Sequence, residues 1–316
     1  MNVTVVILTL DEARHIKRAL RSVATFADRR VVVDSGSTDD TVAIAREMGA
    51  EVLIHPFVNH ARQFNWALGQ LPEGTGWVFR LDADEVVSDA LAAEISARLP
   101  GLPQDVAGLT VPRRIAFMGR PIRYGGLFPV HILRLFRQGR GRSEDRWMDE
   151  HIVVDGAVAE LRGELIDENL NPLGWWIDKH NRYASHEALE VLIAEGHGGI
   201  TRSEAALGMG RQAGIKRWLK KNVYARLPGG FRASAYFIYR YVIRLGFLDG
   251  KEGTAFHVLQ GFWYRYLVDA KLHEVRLYMK RNDVDVVRAI RDVLGIDVAG
   301  SANIKERNSR QGAQDN

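Results

Sequence analysis

The feature that most constrains this chain is the alternation in its first hundred residues between β-branched apolar runs and stretches of helical period. Val3-Thr-Val-Val-Ile-Leu-Thr9 is an unbroken run of the kind buried on both faces of a parallel sheet. Shorter runs follow at 31–33, 51–54 and 77–81, and helical patterns lie between and after them at 41–48, 61–71 and 90–99, with Gly49 as a stop. Thr9-Leu-Asp-Glu12 has capping-box spacing for a helix running through Ala19 and Leu20, and 37–40 reads as a second helix start. Strand and helix alternating in this way predict a doubly wound α/β layer.

Beyond Leu102 the pattern changes to short strands at 108–115, 131–136 and 151–154, a mixed-sheet extension. From Pro172 it becomes helical: 175–195 is amphipathic, 202–227 and 232–245 are basic and aromatic, and 253–280 is apolar enough to pack back on the body. Residues 300–316 are polar and expected to be disordered. The expected division is a catalytic domain over 1–170, a helical region over 171–299 and a tail.

Several classes are excluded by what the sequence lacks. Cysteine is absent, so no disulfide, thiolate metal site or iron–sulfur cluster can form. No strand leads into Gly-x-Gly-x-x-Gly, and no P-loop or His-Glu-x-x-His motif occurs, which disfavours a dinucleotide-dependent dehydrogenase, a P-loop nucleotidase and a zinc hydrolase. No signal-peptide pattern precedes Asp11, and no apolar run is long enough to span a bilayer, so the expected location is cytoplasmic.

A net charge of +4 conceals two stretches without acid. Residues 106–143 carry eight Arg, and 205–248 carry nine basic residues among Trp218, Tyr224, Phe231, Tyr236, Phe237, Tyr239, Tyr241 and Phe247. Both are expected to attract anions. For the second, an anionic membrane surface is favoured over a packed helical subdomain with snorkelling cations, and nucleic acid is set aside as the weakest of the three.

The clearest chemical signal is Arg80-Leu-Asp82-Ala83-Asp84-Glu85 at a strand end. Residues two apart in an extended chain face one way, so Asp82 and Asp84 form a half-site for a hard cation, Mg²⁺ or Mn²⁺, unless they simply begin the next helix. Asp34-Ser35-Gly36 sits at an equivalent strand end, where small residues let a nucleotide approach the backbone and a carboxylate can accept from base or ribose. Arg134 has the shape to grip a donor phosphate or an anionic acceptor, the alternative being a solvated Arg face.

Val5-Val-Ile-Leu-Thr-Leu-Asp-Glu12, Val33-Asp-Ser-Gly-Ser-Thr-Asp-Asp-Thr41 and Arg80-Leu-Asp-Ala-Asp-Glu85, in this order and spacing, resemble the family 2 inverting glycosyltransferases of the GT-A fold. Gly125-Gly126, Leu133-Arg-Leu-Phe136, Asp149-Glu-His151, Lys179-His180, Tyr183 and Gly246-Phe-Leu-Asp-Gly-Lys-Glu-Gly253 are similar to the bacterial lipopolysaccharide-core and envelope-polysaccharide subgroup. The resemblance implies that Thr9, Leu10, Asp11, Glu12 and Asp34 hold a uridine-type base and ribose. It also implies that Asp84, with Asp82, holds a metal bridging the donor diphosphate, and that Glu150, or second Asp149, is the base. The implied partners are a nucleotide-sugar donor and a lipid-linked glycan or polysaccharide acceptor at the inner face of the cytoplasmic membrane. The alternatives are transfer onto a polyprenyl phosphate and a non-catalytic nucleotide- or nucleic-acid-binding α/β protein.

Overall fold

The computed structural model describes residues 2–144, 151–194 and 230–297, which fall into two compact units. One comprises Met1–Pro172 with Arg240–Phe256, the other Leu173–Tyr239 with His257–Asn316. Residues 240–256 thus group with the first unit although they lie far along the helical half of the sequence. The helical pattern at 202–227 and the tail at 300–316 lie outside the described residues.

The first unit is built on a ten-stranded mixed sheet. Its four leading strands are β1 (Val3–Thr9), β2 (Arg29–Asp34), β3 (Glu51–Ile54) and β4 (Trp77–Asp82), parallel to one another in the order β3-β2-β1-β4. The extension adds β5 (Glu85–Val87), β6 (Val106–Phe117), β7 (Arg120–Pro121), β8 (Val130–Arg137), β11 (Ala157–Glu160) and β12 (Leu165–Glu168). Beyond β4 the order is β8-β6-β12-β5, with β7 and β11 also paired to β6. A separate ribbon pairs β9 (Gly141–Ser143) with β10 (Ile152–Val154). The expected α/β class with a mixed sheet and a helical C-terminal region is observed.

Helices cover both faces, which explains the unbroken apolar run. Val3, Val5 and Ile7 pack with α1 (Ile16–Ser22), α2 (Thr41–Glu47) and α4 (Asp89–Arg98), while Val6 meets Phe64 and Ala67 of α3 (His60–Gly69) on the other face. Each such side chain contributes about 1.5–3 kcal/mol relative to exposure, so neither face of β1 tolerates a charge.

Three local expectations are corrected. The capping box is not made: α1 begins at Ile16 without a side-chain cap, because the Thr9 hydroxyl turns to Asp34 and the Glu12 carboxylate to His15. Asp40 likewise precedes α2 without capping it, the Thr41 N–H being taken by Asp39. The stretch 232–245 is not one helix. It comprises an α-helix, Phe231–Ile238, and a π-helical turn, Tyr239–Ile243, and then breaks at Leu245 with φ of 59°.

In the second unit α5 (Leu173–Ala194) and α6 (Phe231–Ile238) precede α8 (Tyr264–Asn282) and α9 (Val286–Leu294), while α7 (Gly250–Phe256) belongs to the first. Its core joins Ala184, Ala188 and Leu192 of α5, Val268, Leu272 and Val275 of α8, and Ala289 and Ile290 of α9. No helix among the described residues is long and apolar enough to cross a membrane.

Candidate active site

The order β3-β2-β1-β4 means that the chain steps outward from β1 to β2 and β3, then returns to place β4 on the opposite side of β1. Such a reversal opens a crevice at the carboxyl ends of the strands, the usual ligand position in this architecture. The register delivers the sequence motifs there: Thr9 pairs with Asp34 across β1 and β2, and Leu8 with Asp82 across β1 and β4.

Asp34 is buried and its carboxylate is used by its own surroundings. One oxygen accepts the backbone N–H groups of Gly36 (2.9 Å) and Ser37 (2.8 Å), and the other accepts the hydroxyls of Thr9 (3.0 Å) and Ser37. Gly36 adopts φ of 97°, a conformation costly for any residue with a Cβ. The 34–37 loop is laced to the 10–13 loop as well. Asp11 N–H donates to the Ser37 hydroxyl (2.8 Å), Asp11 accepts from Thr38 N–H (2.8 Å), and Glu12 N–H donates to the Thr41 hydroxyl (2.7 Å). Leu10 and Ser35 stand on these loops, the Ser35 hydroxyl bonded to buried Gln63 of α3.

Glu12 contacts His15 Nδ1 at 2.5 Å, and His15 Nε2 accepts the Leu170 N–H at 2.8 Å. A ring nitrogen that accepts is unprotonated, so the neutral tautomer carries its hydrogen on Nδ1 and donates to Glu12.

The second half of the site is acidic. Asp82 and Glu85 both accept from Arg134 Nη2, at 2.6 and 2.5 Å, and Asp82 N–H donates to Glu85 Oε2 at 3.0 Å. Asp84, beyond Ala83, is half-buried, with its Oδ2 accepting from Asn169 Nδ2 at 3.1 Å. Its carbonyl accepts from Arg18 Nη2 (3.1 Å) and the Glu168 N–H (3.1 Å), while Arg18 Nη1 pairs with Glu168 (2.8 Å). Asp167 lies 3.6 Å from Arg113.

These carboxyls compete for too few cations. Burial would raise the Asp82 carboxyl, but Arg134, with Arg80 behind it, outweighs burial and holds it below the usual range. Its side chain is 41% exposed, so solvent softens that pull. Burial pushes Glu85 up to about 8 against the pull of Arg134, with repulsion from Asp82 and Asp167 adding to the rise. Burial, then the charge of Asp84, pushes Asp167 up to about 6.

Arg134 is therefore buried beneath Asp82, and the expectation of an Arg134 held out to phosphate gives way to a guanidinium engaged with two carboxyls. Arg18, Asp167, Glu168 and Asn169 reach the site from α1 and the end of β12, and no local motif marks them; the pairing of β12 with β5 and β6 brings in the last three. Asp149 and Glu150 lie outside the described residues. The flanks of that segment are in place: Ser143 pairs with Ile152, and Asn65 grips the Ser143 backbone through both N–H and C=O at 2.9 Å.

The model of Glycosyl transferase family 2 matches residues 4–148, which include both strand-end motifs. The lipopolysaccharide core biosynthesis glycosyltransferase LpsC of Rhizobium meliloti (strain 1021) is 30% identical over 189 residues, covering 58% of this chain and 68% of that protein. The chain belongs to glycosyl transferase family 2. An uncharacterized glycosyltransferase of Rickettsia felis is 43% identical over 89 residues, 28% of this chain and 31% of that protein, so the chain spans about a third of the length of the rickettsial relatives it matches. Among solved structures, this family 2 chain is similar to glucosyl-3-phosphoglycerate synthase from Mycobacterium tuberculosis in complex with Mn²⁺, UDP and glucosyl-3-phosphoglycerate. That similarity has 22% identity, covers 35% of this chain and 44% of that one, and has a TM-score of 0.30.

Proposed function

We propose that this chain transfers a sugar, with inversion, from a nucleotide-diphosphate donor of the UDP-sugar type to a hydroxyl of a lipid-linked or lipopolysaccharide-type glycan. It would work as a peripheral protein at the inner face of the cytoplasmic membrane, with Mg²⁺ or Mn²⁺ at Asp84 and Asp82. The observation that carries this reading is the acidic strand end of β4 at the crevice where the strand order reverses, in a chain of this family. The acceptor class follows the name of the Rhizobium relative.

The residues fit such a cation. Among the described residues no three His, Asp or Glu side chains are arranged to hold a metal by themselves. Two carboxylates of hard oxygen suit an ion that completes its shell with phosphate oxygens and water. When bound, the cation neutralises the diphosphate and makes it a better leaving group.

The chain's own residues supply the rest. Asp84 presents a carboxylate steadied by Asn169 and by the bonds of Arg18 and Glu168 to its carbonyl, and Arg134 holds Asp82 ionised. Thr9, Leu10, Asp11, Glu12, Ser35 and Gly36 form the cradle for base and ribose, with Asp34 shaping it from below. Glu150, or Asp149 in its place, takes the proton of the acceptor hydroxyl. The hydroxyl oxygen then bonds to the anomeric carbon as the bond from that carbon to the diphosphate breaks.

A thermal-shift screen against UDP, GDP, dTDP and CDP with and without Mn²⁺ tests the donor site, since a ligand at 100 times its Kd adds about 2.7 kcal/mol. One nucleotide should raise the melting temperature only with metal, and Asp84→Asn should lose both that shift and sugar transfer. Wild-type transfer by Asp84→Asn, or no shift with any nucleotide, overturns the reading. Transfer lost in Asp149→Asn but kept in Glu150→Gln would exchange the two in the role of base.

A further inference from the structure

Residues 242–248 form the densest exposed apolar segment among the described residues. Val242 (53%), Ile243 (66%), Leu245, Phe247 and Leu248 all stand in solvent within seven positions. The segment is ordered rather than trailing. Leu245 N–H donates to Val242 C=O at 3.2 Å and Leu248 N–H to Leu245 C=O at 3.0 Å, giving a tight turn through the left-handed Leu245 into Gly246–Asp249. An ordered turn that holds five large apolar side chains in water calls for a partner that removes them from it.

We infer that this turn is a lipid-inserting tip that docks the first unit on an anionic bilayer. The inference rests on the reading that the chain works at a membrane surface and names the residues that enter it. Charge complementarity selects the partner. Arg244 and Lys251 are exposed beside the tip, and Arg123 is exposed on the loop bonded to it. The sole acid between 242 and 251, Asp249, is buried and accepts the backbone N–H groups of Arg123 (3.0 Å) and Tyr124 (3.1 Å). Apolar side chains flanked by Arg244, Lys251 and Arg123, with the adjoining acid Glu252 facing Arg120 at 3.7 Å, match the boundary between anionic headgroups and acyl chains. Four of the five apolar side chains are aliphatic and offer no face for base stacking, so the chemistry is that of lipid rather than single-stranded nucleic acid.

The same bonds tie the tip to the active-site edge. Gly125 N–H donates to Arg244 C=O at 2.9 Å, the Arg244 guanidinium lies over Gly126, and half-exposed Tyr124 is carried on the clasped loop. That loop joins β7 to β8, and β8 runs antiparallel to β4, so the start of β8 lies toward the carboxyl end of β4. Insertion of the tip would thereby set the depth at which a lipid-linked acceptor meets Asp82 and Asp84.

The absence of cysteine makes the test clean. Ile243→Cys in the full chain, labelled with an environment-sensitive fluorophore, should shift to the blue with vesicles of phosphatidylcholine and phosphatidylglycerol. It should also be quenched by a bilayer-embedded quencher, and Val158→Cys on β11 should do neither. Val242→Glu with Ile243→Glu, its folding checked by circular dichroism, should weaken sedimentation with these vesicles about tenfold. If the wild type sediments and the double variant sediments equally, or the label at 243 stays water-like, the tip is wrong while the membrane reading stands. If the wild type does not sediment at all, both fail. A shift at 243 that grows with protein concentration without vesicles assigns the surface to a second copy of the chain and overturns the proposal.

Discussion

The two acid-free stretches look alike along the chain and differ in space. In 106–143, most arginines meet partners supplied from elsewhere: Arg114 pairs with Glu164 (2.7 Å), Arg113 with Asp167, Arg120 with Glu252 (3.7 Å) and Arg134 with Asp82 and Glu85, while Arg137 lies over the Trp77 ring and caps the Val106 carbonyl. The expected broad anion-attracting surface is therefore not formed by the paired side chains, although Arg120, Arg123 and Arg142 remain exposed. In the described part of 205–248, Arg232 pairs with Asp269 and Arg240 is buried against Phe256, but Arg244 stands exposed among apolar side chains that are exposed too. Charge counted along the sequence gives the field only where no distant segment brings the opposite sign.

The strongest way to break this contrast is Arg134→Ala. Buried Arg134 would lose its bonds to partly exposed Asp82 and to Glu85, at about 2–3 kcal/mol, read as a lower urea midpoint. A variant as stable as the wild type would show that the first stretch is not neutralised from within. Next comes Asp249→Ala, which leaves two backbone N–H groups without their acceptor at about 1–3 kcal/mol; hydrogen exchange should rise first at Arg123 and Tyr124, and unchanged protection there would dissolve the clasp.

The smallest effect concerns the helical unit, where burial rather than charge governs. Burial lowers the His180 pKa below 6.5, outweighing its bond to the Trp176 carbonyl, with Lys179 lowering it further, and burial lowers His186 in the same direction. Between 6.5 and the folded value the unfolded chain binds more protons, so stability is full above 6.5 and falls as pH drops through that window. His180→Phe should flatten the slope of melting temperature against pH; an unchanged slope would assign it to another group.

Much of the fold was legible because strand and helix periods are local properties. The run 3–9 announced a strand buried on both faces, and the β1, β2 and β4 ends carried their acids where the structure places them. The errors came where a side chain had a choice of partner. Thr9 and Glu12 had capping spacing, but Asp34 and His15, brought close by folding, took those groups instead. Asp34 was recognisable as notable, yet its four bonds to its own loop and to Thr9 were not.

The sequence by itself determined the α/β order, the position of the acids at strand ends and the family to which the chain belongs, since period and motif are read from neighbours a few residues apart. Tertiary structure decided that Arg134 would serve Asp82 and Glu85, and that Arg18, Asp167, Glu168 and Asn169 would gather round Asp84. It also decided that 240–256 would join the sheet unit. Charge neutralisation and burial depend on distances through space, and strand pairing between residues about fifty to eighty positions apart sets those distances.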